Sequence, residues 1–321
     1  MIRAPHREDI LPRMFIHNRN ELNARHIALH LLTAAVILLA IALIGGQAPS
    51  TQSIAAVFVF AFVWSRSGRS FLRDFGLFLA LLVAYKYTRN RADDLAPGAI
   101  NVTNLIAWEK TLFGGALPNY VVQHHLWGQW YTPALDVIFN FFYLSHFFSP
   151  LVLAVALWVY RQSAFWPYMW GLVVLSYATF FTYVLFPAAP PWWATRYGYL
   201  TDQPVYLTHF ILDADRVARS ANPVAAMPSL HAGYPTFIAL VTLHTWGKRA
   251  WPIVFLPMLV IFATVYLGHH YVIDALAGAG YALIVFLTVY LGVLRFLASP
   301  RRQSAIHVRK FKEASPDVHS R

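Results

Sequence analysis

The chain has 321 residues, 58% of them hydrophobic and only 12% charged, with a mean hydropathy of +0.48. A soluble domain carries about 25% charged residues, so too little polar surface is available to coat a water-soluble globule, and the apolar residues fall in long runs, as in membrane proteins. Cysteine is absent, which excludes disulfides and thiolate chemistry; the net charge of +11 does not mark a nucleic-acid partner, because the basic residues sit between apolar runs.

In chain order, a polar, basic segment over 1–26 precedes eight candidate spans at about 27–46, 52–65, 71–87, 134–160, 166–187, 229–246, 250–268 and 271–297. The sequence therefore predicts an all-α, polytopic membrane bundle. Two extra N-terminal spans occupy 27–70, a catalytic core 71–297 and a basic cytoplasmic tail 298–321. No small-x-small cleavage pattern follows the first apolar run, which reads as a retained span. The second and third spans are short against the ~20 residues of a crossing helix. Whether they cross or form a re-entrant pair, the orientation of everything after them is the same.

That orientation follows from the basic residues. With the N-terminus inside, most of the 25 Lys and Arg residues fall on the cytoplasmic side. The other side holds Lys86, Arg89, Arg91, Lys110, Arg196, Arg216 and Arg219. This bias predicts both termini in the cytoplasm; the expected location is the plasma membrane, with the site at its extracytoplasmic face. Residues 99–131 mix apolar and aromatic residues with Glu109, Lys110, Gly114, Gly115 and Pro118. They read as an interfacial amphipathic helix ending at the glycine pair, with Trp108, Trp127 and Trp130 at headgroup depth. The external interfacial segment covers 88–133, and a polar, Pro-rich external loop covers 188–228. In that loop Trp192 and Trp193 read as an aromatic-belt pair. Asn101-Val102-Thr103 fits a glycosylation sequon.

Two segments carry chemistry. Met227-Pro228-Ser229-Leu230-His231 opens the sixth span; Gly268-His269-His270-Tyr271-Val272-Ile273-Asp274 joins the seventh to the eighth. By the charge pattern both lie at the external membrane face. His270 and Asp274 are four apart and share one helix face. A carboxylate there accepts a hydrogen bond from one ring nitrogen and frees the other to attack. Ser229 stands at a helix N-terminus, where orphan N–H groups favour phosphate. His231, near the same end, is placed to protonate a leaving alkoxide and then activate a second acceptor. Single histidines such as His30, His244 or the His124–His125 pair read as packed interfacial residues. A histidine metal site is the weaker reading, since no Glu or Cys completes a ligand set.

Asp136, Asn140, Tyr143 and His146 form a polar stripe at helical spacing on the fourth span. It reads equally as a polyol-headgroup site or as contacts between helices. Arg196, Arg216 and Arg219 are candidate phosphate ligands, or else arginines facing solvent and lipid phosphate.

Pro228-Ser229-Leu230-His231 and His270-Tyr271-Val272-Ile273-Asp274 resemble the second motif, PSGH, and third motif, SRxxxxxHxxxD, of the type 2 phosphatidic-acid phosphatase superfamily. The resemblance covers about 71–297. It implies a six-helix core, a phosphohistidine intermediate on His270, acid–base work by His231, and no metal or other cofactor. The superfamily's first motif, KxxxxxxRP, is replaced by Phe186-Pro187-Ala188-Ala189-Pro190-Pro191-Trp192, and the third-motif Ser-Arg by Ala263-Thr264. Two phosphate-clamping cations are thus missing. A phosphomonoester with nearly two negative charges needs such a clamp more than a diester with one, so the changes point to a diester donor. The run from Ala189 to Trp192, the PSLH and HHYxxD motifs, and Leu112-Phe113-Gly114-Gly115 before Pro118 are similar to the inositol phosphorylceramide synthase (aureobasidin-resistance) branch and its bacterial relatives. That resemblance implies transfer of phosphoinositol from a phospholipid donor to a lipid alcohol acceptor. The competing readings are a phosphatase acting on phosphatidate or a polyprenyl diphosphate, and a transporter or scaffold in which the motifs are decorative.

Overall fold

The computed structural model describes residues 68–89, 91–96, 98–207 and 223–297. The first two predicted spans, the N-terminal segment, the tail from 298 onward, and Arg216 and Arg219 lie outside the described residues. The fold is an all-α membrane bundle, and no strand occurs among the described residues. Apolar runs become helices in lipid because each segment must satisfy its own backbone N–H and C=O groups.

The long elements are α1 (Gly68–Arg89), then after short helices α2 (Ala92–Leu95), α3 (Thr103–Leu112) and α4 (Pro118–Leu126), the long α5 (Thr132–Tyr160) and α6 (Gln162–Leu185). A short α7 (Pro191–Arg196) precedes α8 (Leu230–Trp246), a 3₁₀ stretch Gly247–Val254, α9 (Phe255–Tyr266) and α10 (Val272–Val285). A π-helical turn, Phe286–Tyr290, leads into α11 (Leu291–Leu297). Among the described residues, four helical stretches are long and apolar enough to cross a membrane: Thr132–Tyr160, Gln162–Leu185, Leu230–Tyr266 and Val272–Arg295. The third folds back on itself through the 3₁₀ stretch, since His231 at its start and His270 just past its end touch each other. The seventh predicted span is accordingly shorter than expected, its first residues lying in that turn. The third predicted span is longer than expected, 22 residues in α1.

The interfacial helix expected over 99–131 is two helices. α3 ends before Gly114 and Gly115, both at positive φ, and α4 starts on Pro118, a residue suited to a first helical turn. With α7 they form a roof over one end of the bundle. Its own apolar cluster includes Leu105, Ile106, Leu117, Ala188, Ala194, Val205 and Ile273. The main core lies below, among α1, α5, α6, α8 and α10, with Tyr168 stacked on Phe237. A third cluster, Phe139, Tyr143, Ala263, Tyr266 and Leu267, joins α5 to α9.

The run Phe186–Trp192 is the seam of the roof. Ala188 donates to the Val224 carbonyl and accepts from Ala226, while Asn101 donates to Pro187 and accepts from Ala189. Ala188 and Ala189 are fully buried, so this extended segment is held between two neighbours with no room for larger side chains. Trp192 is also buried, its backbone N–H facing the Gly268 carbonyl. It packs inside the roof rather than in an aromatic belt; only Trp193, stacked near Tyr197 and Tyr199, is partly open.

Candidate active site

Ser229 is the N-cap of α8, its hydroxyl accepting from the Ala232 N–H, the common role of serine at this position. That directs the next turn, and with it His231, towards α10. The Ser229 N–H donates to the Asp274 carbonyl at 2.9 Å, so the two helix starts are tied by their backbones. This approach depends on Gly278: a Cβ there would lie 2.0 Å from the Ser229 carbonyl oxygen. Tyr183 of α6 donates to the Pro228 carbonyl and holds the same turn from the other side.

The second half of the site is the turn between α9 and α10. Gly268 has a φ of 77° and its α-carbon faces the Tyr206 carbonyl, so no side chain fits there. The His269 and His270 N–H groups both point at the Thr264 carbonyl. Asp274 is fully buried and caps α10, one carboxylate oxygen accepting from the Tyr271 N–H at 2.9 Å.

The rings meet between these halves. His231 Nδ1 lies 3.0 Å from His270 Nε2, and His270 Nδ1 faces Asp274 Oδ2 at 3.6 Å. The last distance is longer than a formed hydrogen bond, and His270 Nδ1 and Asp274 Oδ1 have no other partner. The chain of groups is therefore carboxylate, imidazole, imidazole. Tyr143 stacks on His231 and on His269, each at 4.5 Å between ring centres, and the His146 ring lies 3.8 Å from that of His231. Burial pushes His269 down to about 3, with the nearby His270 and His146 adding to the fall, so this ring stays neutral. No group of three His, Cys, Asp or Glu side chains among the described residues is placed to hold a metal ion.

The polar stripe divides. Tyr143 and His146 line the histidine cluster, whereas Asp136 accepts from the Tyr266 hydroxyl at 2.7 Å and the Asn140 amide donates to the Asp136 carbonyl. Arg196 ends α7 on an exposed face of the roof.

Sequence reasoning missed the residues that hold this geometry. Glu109 of α3 is fully buried and its two carboxylate oxygens accept from the Val272 and Ile273 N–H groups at 2.8 and 3.0 Å. These are orphan donors of α10's first turn, next to Asp274. On α4, the Asn119 amide donates to the Val265 and His270 carbonyls, and the Gln123 amide to those of Tyr206 and Tyr266. The available signal was the polar pattern itself: Asn119 and Gln123 are four apart, and Glu109 follows Leu105 and Ile106 on one helix face.

A histidine pair, His270 buried and His231 half-buried, backed by a buried carboxylate at the end of a membrane bundle, defines a class: a lipid phosphotransferase or phosphatase. Residues 105–288 match the PAP2 superfamily, and the chain belongs to it. That is the type 2 phosphatidic-acid phosphatase superfamily which the two motifs resemble. The chain is 29% identical over 222 residues to the phosphoinositol dihydroceramide synthase of Bacteroides thetaiotaomicron, covering 61% of this chain and 69% of that one. It is 27% identical over 227 residues to the inositol phosphorylceramide synthase catalytic subunit of Saccharomyces cerevisiae, 64% of this chain and 53% of the relative. The corresponding Schizosaccharomyces pombe subunit is 26% identical over 161 residues, 45% of this chain and 37% of the relative. The chain thus spans about half or less of the length of these fungal relatives. No solved structure matches it.

Proposed function

We propose that this protein moves a phospho-headgroup, phosphoinositol from phosphatidylinositol, onto a lipid alcohol through a covalent intermediate on His270. The observation that carries the reading is the 3.0 Å contact between His231 Nδ1 and His270 Nε2, with Asp274 behind the far nitrogen of His270. A phosphoryl group bound between the rings replaces that hydrogen bond. His270 Nε2 then forms the new P–N bond as the P–O bond to diacylglycerol breaks, and His231 gives its proton to the departing alkoxide. In the second half His231 takes the proton of the acceptor hydroxyl, whose oxygen attacks phosphorus and releases His270. Asp274 orients the ring and offsets the charge that it gains. The names of the bacterial and fungal relatives support phosphoinositol as the group transferred. The small, fully buried Ala188, Ala189, Ala263 and Thr264 at the places of the missing cations support a diester donor.

The remaining expectations fit the same reading: 71–297 as catalytic core behind two extra spans, both termini cytoplasmic, and the site at the outer face of the plasma membrane. The test is a headgroup-fate assay. Purified protein in nanodiscs receives ring-labelled phosphatidylinositol, or phosphate-labelled phosphatidate, with and without a ceramide acceptor. Label should pass from phosphatidylinositol into a new lipid only when acceptor is present, and His270→Ala or His231→Ala, still folded, should lose at least ~10²-fold in rate. Release of inorganic phosphate from phosphatidate with phosphatidylinositol untouched would instead establish a phosphatase, and robust transfer by His270→Ala would remove the covalent mechanism.

A further inference from the structure

We infer that Arg89, the last residue of α1, is the cation that binds the substrate phosphate between His231 and His270. The inference rests on the headgroup-transfer reading of this site. At the places where the superfamily's first and third motifs carry cations, this chain has the buried Ala188, Ala189, Ala263 and Thr264. A phosphodiester anion drawn into a water-poor pocket still requires a positive partner. The partner must come from another element that ends at this level of the bundle.

Antiparallel connectivity selects α1. The end of α1, the end of α6 and the starts of α8 and α10 all lie at the roof end, because α6 runs up to the roof seam and both histidine motifs hang beneath it. Of the other described cations, Arg91, two residues further on, is exposed. Lys110 is paired with Asp202 at the surface. Arg161, Lys248, Arg249 and Arg295 lie at or near the far ends of α5, α8 and α10. Arg196 is exposed on the roof.

Arg89 faces inward. A snorkelling arginine at a helix end would turn its head to the lipid headgroups. Arg89 is instead half-buried, with Tyr85, Tyr183, Tyr143 and Tyr234 among the groups near its charge. Two of these neighbours bracket the site directly: Tyr183 holds the Pro228 carbonyl, and Tyr143 stacks on His231. The end of α1 runs beside the end of α6, Tyr85 packing on Tyr177 and the Leu81 carbonyl accepting from the Tyr177 hydroxyl, so Arg89, one turn further on, comes level with the last turn of α6, where Tyr183 holds the Pro228 carbonyl. The planar guanidinium fork suits two phosphate oxygens at once.

Full-length protein in phosphatidylcholine nanodiscs is titrated with tungstate, a tetrahedral oxyanion, alongside kcat and KM for phosphatidylinositol. Arg89→Gln should weaken tungstate at least ~10-fold and raise KM. Arg89→Lys, which keeps the charge without the fork, should lose several-fold less than the glutamine variant but bind measurably below wild type. Arg161→Gln, at the far end of the bundle, should bind like wild type. Undiminished tungstate binding by folded Arg89→Gln, or no tungstate binding by the wild type, overturns the inference. Where Arg89→Gln loses its fold, undiminished binding by Arg89→Lys does the same. Tungstate binding needs no turnover, so the two readings separate. Loss of binding in Arg89→Gln without any wild-type transfer keeps the clamp and removes the transferase; transfer with unaffected binding does the reverse.

Discussion

Glu109 is the strongest lever on the site that does not touch it. Its carboxylate receives two N–H groups from the first turn of α10, at 2.8 and 3.0 Å, and is fully buried. Glu109→Ala leaves both donors buried without a partner, at about 1–3 kcal/mol each, so about 2–6 kcal/mol of stability is lost. Glu109→Gln keeps one acceptor and turns its amide against the other N–H, so about 1–3 kcal/mol is lost. Asp274 sits in that same turn, and a shift of ~1 Å there lowers kcat by up to ~10². Thermal unfolding in nanodiscs and headgroup transfer should therefore fall together, in the order wild type, Gln, Ala. The pH dependence has a definite sign. Burial, aided by the charge of Asp274 and opposed by the two N–H donors, raises the Glu109 carboxyl above its usual value. A raised folded pKa contributes stability that is complete below the unfolded value and is lost as pH rises through the folded one. Glu109→Gln lacks this titration, so the wild type's advantage over it should be largest in acid and shrink as pH rises. Equal melting of all three proteins with unchanged kcat would refute the reasoning.

Two further substitutions probe how the halves of the site are joined. Gly278→Ala places a methyl group 2.0 Å from the Ser229 carbonyl oxygen, a backbone atom that cannot swing aside; about 1–3 kcal/mol should be lost and transfer cut sharply, and normal activity would mean that the α8–α10 crossing does not set the histidine contact. Asn119→Ala orphans the Val265 and His270 carbonyls, and Asn119→Asp should be at least as damaging because it offers only acceptors to two acceptors. Unfolding and transfer assays that rank the Asp variant above Ala would show that the amide is not what holds the turn.

The bundle was legible because its signal is one-dimensional: long apolar runs, broken where charge and proline collect. The pairing of His270 with Asp274 was legible because four residues along a helix need no knowledge of the fold. Bringing His231 to them needed only the expectation that successive spans return to the same face. What was hidden is contact between distant polar residues. In the sequence Glu109 is one polar residue of an interfacial amphipathic segment, and the packing of Leu105 and Ile106 in the roof cluster turns it inward. Trp192 reads as a belt residue because tryptophan at a span end usually is one; the alanine seam beside it draws it into the interior. The polar stripe on α5 divided for a similar reason. Its spacing placed all four residues on one face, but Tyr266 claims Asp136 while Tyr143 and His146 lie deeper, against the histidines.

The division of labour between roof and bundle follows from the chemistry. Phosphoryl transfer asks for alignment and charge placement more than for covalent assistance, and neither can come from apolar helices sliding in lipid. The bundle supplies His231, His270 and Asp274 from helix ends, where backbone donors and acceptors are still unspent. The roof spends them: Glu109 takes the N–H groups that open α10, Asn119 and Gln123 take carbonyls at the end of α9 and in the turn that follows, and the Ala188 seam ties the segment before Pro228 to the segment that leaves α6. Each bond removes a freedom that the helix ends would otherwise have, and together they fix the two turns from which His231 and His270 meet. The polar residues of 103–126 are therefore as much a part of the site as the motifs. A segment too amphipathic to cross the membrane is the part able to carry a buried carboxylate and buried amides to the turns that hold the histidine pair.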